Sequence, residues 1–309
     1  MYIAMDMGTS NTRIWLCDKE RIIGSYKRPF GAKLGSTNKN ALFGRLTDLI
    51  SESLSQNGVT EEDVECILTS GMAGSEIGLC EIPHISLPTD VYRNASMISQ
   101  KRIPEITKIP FWFVPGVKEM HADLLADIIR GEETEIFGIL PHLPKNTPAV
   151  VLLPGTHNKI IRLNEAGEIT DFKSTASGEL LDIIISHSIL AGSISHDFTF
   201  SETHAKQGME YAHENGISAA IFHVRVMAKN GTPHDLLSSF IYGAVIGEDI
   251  KMIRKYAGEN TIFVGGNEKL QAVYCSLLGK DYAVSLNSEI AASATLHGLQ
   301  QIYGIYKSL

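Results

Sequence analysis

Two short polar segments, each between two apolar stretches, are the first candidates for chemistry in this sequence. Residues 8–11 read Gly-Thr-Ser-Asn and residues 155–158 read Gly-Thr-His-Asn. Strand-like residues flank both segments, which predicts two hairpin turns. Such turns present backbone N–H groups beside hydroxyl and amide donors, and the oxygens of a polyphosphate need donors of this kind. The alternative for either segment alone is a tight β-turn that uses Gly and Asn for positive φ.

A third glycine-rich segment follows an apolar stretch in the second half of the chain. Residues 261–267 read Thr-Ile-Phe-Val-Gly-Gly-Asn, which predicts a strand that breaks into a turn directly before a helix. Helix N-termini favour anions, so the two hairpins and this turn could hold a triphosphate and leave room for a nucleoside. The sequence has no GxxxxGKS or GxxxxGKT, and no GxGxxG after a strand. A Walker-type loop and the usual dinucleotide fingerprint are therefore excluded.

One carboxylate lies immediately before the first of these turns. Asp6 ends the first predicted strand, two residues before Gly8. A carboxylate there faces phosphates only if a cation lies between them, and Mg²⁺, bound directly or through water, is the natural candidate. The alternative is an aspartate that caps its own turn.

A second acidic segment offers the groups that phosphoryl transfer requires, a proton acceptor and positioning donors. Residues 130–133 read Arg-Gly-Glu-Glu at the end of a predicted helix. Adjacent helical carboxylates point about 100° apart, so one can face a ligand while the other meets solvent or an ion pair. A solvated acidic turn is the alternative interpretation. A glycine inside a helix costs up to about 1 kcal/mol, so Gly131 indicates close approach of a ligand or of a second backbone.

The elements that must position these groups occur twice. The pattern predicts three strands around each hairpin, at residues 2–6, 13–18 and 22–27 and again at residues 149–153, 158–163 and 169–173. This repetition predicts a duplicated β-meander. Strands followed by helices, twice over, predict two α/β lobes with a cleft between them. Prolines around residues 141–148 place the expected boundary between residues 143 and 144.

Helices are expected to fill most of the remaining chain. The apolar spacing predicts them at residues 40–56, 119–129, 177–190, 201–215, 233–256, 268–278 and 287–306. Five prolines make residues 81–116 a region of loops and short edge strands. His121-Ala122-Asp123 fits the start of the second helix better than a metal site.

Composition narrows the class of partner. The 309 residues carry 27 basic and 35 acidic side chains, a net charge of −8, and no basic cluster of the kind that binds nucleic acid. No apolar run is long enough to span a bilayer, and the first residues lack the basic region of a signal peptide. The four cysteines form no CxxC pair, which argues against a disulfide framework or a structural zinc. We therefore expect a cytoplasmic protein with small-molecule partners and no membrane or nucleic-acid partner.

Taken in order, these segments resemble a known superfamily. Strand–GTSN–strand, strand–GTHN–strand and strand–GGN–helix are similar to the first phosphate, second phosphate and adenosine segments of the actin, sugar-kinase and heat-shock ATPases. More narrowly, the chain resembles the 2-dehydro-3-deoxygalactonokinase family in the stretches MDMGTSNTRIW, GMAGSEIG, IRGEETEIFG and LPGTHNKI. The resemblance extends over nearly the whole chain. It implies an α/β protein of two ribonuclease-H-like, actin-like ATPase lobes, residues 1–143 and 144–309, with an ATP and substrate cleft between them.

The resemblance also implies a reaction. That family transfers phosphate from ATP, with Mg²⁺, to the 6-hydroxyl of 2-dehydro-3-deoxy-D-galactonate. A kinase for another sugar acid or polyol, or a non-kinase actin-like ATPase, is the alternative. The expected partners are a sugar acid and ATP, and the oligomeric state is left open, with a homodimer among the options.

Site residues follow from the same comparison. It implies that Asp6 serves the metal and that Glu132 is the catalytic base, with Glu133 the nearest rival and Arg130 a second catalytic residue. The residues expected to bind ATP are Gly8, Thr9, Ser10, Asn11, Gly155 and Thr156 at the phosphates, and Gly265, Gly266 and Asn267 at the adenosine. The residues expected to contact the sugar acid are Met72, Ala73, Arg130 and Glu132. Arg130, Lys118 and Arg225 are unranked candidates to bind its carboxylate.

Overall fold

The computed structural model describes residues 1–122 and 124–309, and they form two compact α/β units. The first unit contains Met1–Lys145, Gly167–Asp171 and Ser293–Leu309, and the second contains Asn146–Ala166 and Phe172–Ala292. The expected α/β class is confirmed. The boundary between residues 143 and 144 stays a prediction. Asp123, which the sequence analysis placed at the start of a helix, lies outside the described residues.

A six-stranded mixed sheet and a three-stranded sheet form the framework of the first unit. The larger sheet has the order β3-β2-β1-β4-β7-β6, and the smaller has the order β5-β8-β9. The strands are β1 (Tyr2–Met7), β2 (Thr12–Asp18), β3 (Arg21–Arg28), β4 (Ile67–Gly71), β5 (Ile85–Ser86), β6 (Ser99–Lys101), β7 (Phe111–Phe113), β8 (Val117–His121) and β9 (Leu124–Ile129). The helices are α1 (Ala32–Thr37), α2 (Lys39–Gln56), α3 (Val91–Ser96) and α4 (Glu132–Ile139).

The central pair of strands brings the candidate residues of the first unit to one edge. β1 pairs in parallel with β4, and the register places Asp6 opposite Ser70 and Met7 opposite Gly71. Every residue of β1 except Asp6 is buried, as expected for a strand covered on both faces. Because parallel strands end at the same edge of a sheet, the turns after β1 and β4 lie side by side.

The second unit repeats this meander. Its sheet has the order β12-β11-β10-β13-β14, which corresponds to β3-β2-β1-β4 of the first unit in its first four members. The duplicated meander predicted from the sequence is confirmed. The strands are β10 (Ala149–Leu153), β11 (Asn158–Leu163), β12 (Ile169–Thr175), β13 (Ile262–Val264) and β14 (Ala283–Ser285). The remaining helices are α5 (Ser177–His187), α6 (Glu202–Asn215), α7 (Ile217–Lys229), α8 (His234–Ala257), α9 (Glu268–Leu278) and α10 (Ser288–Tyr306).

Two parts of the predicted secondary structure are wrong. Residues 119–121 and 124–129 lie in strands β8 and β9 rather than in a helix, and the apolar side chains taken as a buried helical face are largely exposed, Leu124 at 75% and Leu125 at 59%. Apolar residues spaced one and four apart fit a helix as well as a short strand, and only tertiary pairing decides between them. Helices α1, α3 and α7 were not predicted, and Gly216, with φ of +86°, separates α7 from α6.

The beginning of α4 is held by the C-terminal helix α10. A Cβ added to Gly298 would lie 1.9 Å from the Thr134 carbonyl oxygen, and one added to Gly138 would lie 1.9 Å from the Ala294 carbonyl oxygen. The two helices therefore touch backbone to backbone, which only glycine permits at these positions. Among the described residues, no helix is both long enough and apolar enough to cross a bilayer.

This contact gives the first testable prediction. Gly298→Ala should lower the free energy of unfolding by about 2 kcal/mol, because overpacking forces the helices apart. Gly304→Ala, in the same helix but with open space around its Cα, should raise it by up to about 1 kcal/mol, because alanine favours the helix. Urea denaturation followed by circular dichroism measures both. Equal effects of the two substitutions would contradict the close contact.

Candidate active site

Two carbonyl groups of the first hairpin point towards the start of helix α1. The carbonyl oxygens of Gly8 and Thr9 accept hydrogen bonds from the N–H groups of Ala32 and Lys33, both at 3.0 Å. In a trans peptide, the carbonyl of one residue and the N–H of the next point in opposite directions. The N–H groups of Thr9 and Ser10 therefore point away from α1. Both residues are exposed, and among the described residues these two N–H groups have no acceptor.

The second hairpin has a similar arrangement at one of its carbonyl groups. The Thr156 carbonyl oxygen accepts the N–H of Glu179, at the start of α5, at 2.9 Å. The N–H of His157 consequently points away from α5, and both Thr156 and His157 are exposed. The His157 imidazole lies 3.0 Å from the Glu179 carboxylate. The first hairpin thus presents two outward N–H groups and the second presents one, of the kind that phosphate oxygens bind.

Two glycines that were not found from the sequence allow each hairpin to lie this close to the helix that follows it. A Cβ added to Gly31 would lie 2.2 Å from the Gly8 carbonyl oxygen, and one added to Gly178 would lie 2.0 Å from the Gly155 carbonyl oxygen. Each follows the glycine of its hairpin by 23 residues. The equal spacing was the available signal, because it extends the internal repeat beyond the strands to the start of the following helix.

Asp6 bonds across its own hairpin. Its Oδ2 accepts hydrogen bonds from Nε and Nη2 of Arg13, at 3.0 and 2.7 Å. Its Oδ1 lies on the side of β4, 3.2 Å from where a Cβ on Gly71 would be. Leu153 occupies the corresponding position in the second hairpin, two residues before Gly155. Of the two hairpins, only the first carries a carboxylate at this position.

The residues around Asp6 fit a magnesium ion held mainly by phosphate and water. The described residues contain no cluster of three or more His, Cys, Asp or Glu side chains that could hold a metal. Mg²⁺ commonly keeps several waters and uses one or two carboxylates together with substrate phosphates. Asp6 Oδ1 accepts no hydrogen bond from the described residues, so one carboxylate oxygen is available beside the outward N–H groups of the turn.

The start of α4 packs against the end of β4. Gly131 has φ of +113°, and a Cβ there would lie 3.0 Å from the Gly71 Cα. The Ser70 and Thr134 hydroxyl oxygens lie 2.7 Å apart across the same contact. The glycine stands just before the helix rather than inside it, which corrects the sequence prediction. Of the two explanations offered for it, close approach of a second backbone is the one observed.

The two adjacent glutamates at this helix start have different environments. Glu133 is fully buried, and its carboxylate accepts the Gly131 N–H at 2.7 Å and the Thr134 hydroxyl at 3.1 Å. Burial, with the nearby charge of Glu132, raises the pKa of Glu133 to about 7. Glu132 is partly exposed, and its Oε2 accepts the Arg130 N–H at 2.9 Å. Of this pair, only Glu132 reaches the surface of the unit.

Glu135, in the first turn of α4, lies close enough to both Glu132 and Asp6 for their charges to affect its pKa. Burial, followed by the charges of Glu132 and Asp6, raises the pKa of Glu135 to about 8, while Arg13 acts in the opposite direction. Asp6 and Glu132, which the sequence analysis assigned to the metal and to proton transfer, therefore belong to one acidic group. Glu135 was missed, although its spacing of three residues from Glu132 places both on one helix face.

Arg130 lies against the turn that contains Met72 and Ala73. A Cβ added to Gly74 would lie 2.8 Å from Arg130 Nη1, and Arg130 Nη2 donates to the Ile82 carbonyl oxygen at 2.6 Å. Nη1 is buried and has no hydrogen-bond partner among the described residues. Met72 is partly exposed, whereas Ala73 is fully buried. The structure thus brings Arg130 and the expected substrate turn together, with a guanidinium nitrogen left unpaired beside it.

His84 completes this corner of the first unit and was not found from the sequence. Its two ring nitrogens lie within 3.2 Å of Arg130 Nη2. Burial and the charges of Arg130 and Lys118 lower the pKa of His84 to about 4. Of the three cations proposed for the substrate carboxylate, Arg130 and Lys118 therefore lie near one another, and Arg225 is an exposed residue of α7 in the second unit.

The glycine turn after β13 lies against the second hairpin. The Gly265 N–H donates to the Leu152 carbonyl oxygen at 2.8 Å. Gly266 has φ of +79°, and a Cβ there would lie 2.9 Å from the Pro154 carbonyl oxygen. The Asn267 side chain caps α9 by accepting the Leu270 N–H at 3.0 Å. The structure therefore brings the expected adenosine turn next to the second expected phosphate turn. The Asn267 side chain already has a role there as the cap of α9.

Solved structures place this fold in a known class. The activator of 2-hydroxyisocaproyl-CoA dehydratase from Clostridium difficile, solved with bound ADPNP, has a TM-score of 0.52 at 10% identity, with coverage of 99% of this chain and 96% of that one. The crystal structure of a candidate 2-dehydro-3-deoxygalactonokinase from Sinorhizobium meliloti has a TM-score of 0.80 at 22% identity, with coverage of 98% and 96%. At these identities, the likeness shows the fold alone.

The repeated meander, its two hairpins and these neighbours define an α/β protein with the actin-like ATPase and sugar-kinase fold. The model of the 2-keto-3-deoxy-galactonokinase family matches residues 6–302, so the chain belongs to that family. The 2-dehydro-3-deoxygalactonokinase of Escherichia coli K12 is 25% identical over 278 residues, which are 88% of this chain and 87% of the relative. The family expected from the sequence motifs is confirmed.

The His84 environment gives a pH prediction. The pKa of about 4 in the folded chain lies below the value near 6.5 of an unfolded histidine, so the unfolded state binds the proton first as pH falls. The contribution of neutral His84 to the free energy of unfolding should therefore be lost as the pH falls from about 6.5 to about 4. Compared with His84→Gln, the wild-type chain should lose free energy of unfolding across this window, as urea titrations at several pH values would measure. A difference that does not change with pH would contradict the assignment.

Proposed function

We propose that this chain transfers the γ-phosphate of ATP to the 6-hydroxyl of 2-dehydro-3-deoxy-D-galactonate, with Mg²⁺, in the cytoplasm. The observation that carries the proposal is the family match over residues 6–302. The Escherichia coli relative, named a 2-dehydro-3-deoxygalactonokinase, supports the same substrate. The unpaired guanidinium nitrogen of Arg130 is consistent with a sugar-acid acceptor.

The nucleotide would be bound chiefly through backbone groups. In this proposal, outward N–H groups of the two hairpins bind phosphate oxygens, and the glycine turn before α9 takes the adenosine. The residues concerned are Gly8, Thr9, Ser10, Asn11, Gly155 and Thr156 at the phosphates, and Gly265, Gly266 and Asn267 at the adenosine. Asp6 would hold the Mg²⁺ through Oδ1, directly or through water. When bound, the ion neutralises charge on the phosphates.

Glu132 is the proposed catalytic base. As the 6-oxygen of the sugar acid bonds to the γ-phosphorus, the bond from that phosphorus to the leaving ADP oxygen breaks, and the hydroxyl proton passes to the Glu132 carboxylate. Partial exposure supports this role, because a ligand can reach the side chain. Glu133 is instead enclosed by Gly131 and Thr134, which suits a residue that holds the start of α4.

Arg130 is proposed to act at the sugar acid rather than at the nucleotide. Its guanidinium lies against the turn of Met72 and Ala73, which we propose as part of the acceptor site. Nη1 has no partner among the described residues, and a buried unpaired guanidinium nitrogen is costly. An anionic group nearby would relieve that cost, which favours a carboxylate-bearing acceptor over a neutral polyol.

A substrate panel tests the reaction. Coupled ADP release with ATP and Mg²⁺ should be stimulated by 2-dehydro-3-deoxygalactonate far more than by its gluconate epimer, hexoses or polyols. Preference for another sugar acid or polyol would keep the kinase and change the acceptor. Slow ADP release that no sugar stimulates would point to a non-kinase ATPase and contradict the proposal.

Two neighbouring substitutions test the base. Glu132→Gln should lower kcat by about 10²–10⁴-fold, the usual contribution of a general base, with little change in ATP affinity. Glu133→Gln is the matched control, because it removes a carboxylate one residue away that is buried, and kcat should fall less than tenfold. Steady-state kinetics and ATP titration measure both. If the larger loss of kcat came from Glu133→Gln, the assignment to Glu132 would be wrong.

A further inference from the structure

A buried polar network lies beneath the second hairpin. It consists of the side chains of Asn158, Thr175, Asp249 and Tyr274, from β11, β12, α8 and α9. Asn158, Asp249 and Tyr274 are 2%, 5% and 1% exposed. A charged residue so well buried in the middle of an apolar helix is rare unless its oxygens are paired. Asn158 ends the second predicted hairpin, and the other three residues were not found from the sequence.

One oxygen of Asp249 is the centre of the network. Its Oδ2 accepts from Asn158 Nδ2 at 2.9 Å, from the Tyr274 hydroxyl at 2.9 Å and from the Thr175 hydroxyl at 3.1 Å. Burial and the Asp249 charge raise the pKa of Tyr274, so this phenol keeps its proton and donates. Three donors on one oxygen offset much of the cost of burying the carboxylate.

This carboxylate fixes the orientation of the Asn158 amide. An ionised carboxylate only accepts hydrogen bonds, so the amide must present its NH₂ group to Asp249. The amide oxygen then faces the opposite way, where it accepts the Gly155 N–H at 3.1 Å. That bond closes the turn at its first residue. The N–H of His157 is left pointing outward, because the Thr156 carbonyl is held by α5.

The first hairpin closes without such a network. There the Gly8 N–H donates to the backbone carbonyl of Asn11 at 2.8 Å, and the Asn11 side chain is exposed. The two turns have matching sequence but different closure. Closure of the second turn depends on the Asn158 side chain. The buried carboxylate of Asp249, which lies 91 residues later in the chain, sets the orientation of that side chain.

Helix α9 connects the same network to the glycine turn before it. Gln271 Nε2 donates to the Gly266 carbonyl oxygen at 3.2 Å, and the Ser285 hydroxyl donates to Gln271 Oε1 at 2.8 Å. Tyr274 follows Gln271 by three residues, on the same helix face. One helix therefore holds both the expected adenosine turn, through Gln271, and the expected phosphate turn, through Tyr274 and Asn158.

We propose that Asp249 is a positioning residue for nucleotide binding: through Asn158, it holds the second hairpin in the conformation that presents its N–H groups to phosphate. This inference rests on the proposed use of ATP. Asp249 does not touch the nucleotide, and its effect reaches the turn through one amide. The expected signature is a loss of ATP affinity without a loss of affinity for the sugar acid.

An exchange of the two side chains tests the proposal. Asn158→Asp places two carboxylates about one hydrogen-bond length apart, and we expect ATP affinity to fall at least tenfold with KM for the sugar acid within threefold of wild type. Asn158→Asp combined with Asp249→Asn restores the pairing, because the new carboxylate accepts from Gly155 and from the new amide. ATP affinity of this double variant should return to within threefold of wild type.

Two readouts separate the possible failures. Calorimetric titration with the non-hydrolysable analogue ADPNP and Mg²⁺ measures affinity, and amide hydrogen exchange at Gly155 reports turn closure without ligand. Exchange should quicken in Asn158→Asp and slow again in the double variant. A folded double variant that still binds ADPNP weakly, or equal losses of ADPNP and sugar-acid affinity, would overturn the proposal. A wild-type chain that binds no ADPNP would overturn the proposed use of ATP and this inference with it.

Discussion

The hydrogen bonds that draw hairpin carbonyls onto the start of the next helix are the interaction on which the rest of the structure depends. Gly8 and Thr9 turn their oxygens towards α1, and Thr156 turns its oxygen towards α5. Each arrangement needs a glycine at the helix start, Gly31 or Gly178, because a Cβ would collide with the hairpin. Because each trans peptide is planar, the N–H group that follows such a carbonyl points in the opposite direction, away from the helix. Backbone geometry of the kind that phosphate oxygens bind thus occurs in each unit.

The candidate site residues of the first unit are positioned by two further close contacts between backbones. Gly131 lets α4 begin against Gly71, and Gly298 lets α10 lie on α4. The start of α4 places Glu132 near Glu135 and Asp6, and it buries Glu133. Burial raises the pKa values of Glu133 and Glu135, and the charge of Glu132 adds to this effect. Such concentration of like charge in a partly buried place is typical of sites that bind cations or move protons.

The sequence predicted the parts of this structure that local patterns encode. The hairpins, most strands and most helices follow from alternation, helical spacing and turn residues, and the motifs identified the family. What failed depends on tertiary context. Residues 119–129 have apolar spacing that fits a helix, yet strand pairing decides the structure of residues 119–121 and 124–129. His84 and Asp249 gave no local signal, because their roles come from neighbours 46 and 91 residues away in the chain. The spacing of Gly31 and Gly178, and that of Glu135 from Glu132, could have been found from the sequence.

The central claim is that the outward N–H groups of the two hairpins bind the phosphates of ATP. Backbone amide resonances of the ¹⁵N-labelled chain, followed during titration with ADPNP and Mg²⁺, test it most directly. We predict that the amides of Thr9, Ser10 and His157 shift together, with one binding constant, because hydrogen bonding to phosphate deshields them. Titration that shifts amides elsewhere and leaves these three unchanged would contradict the account.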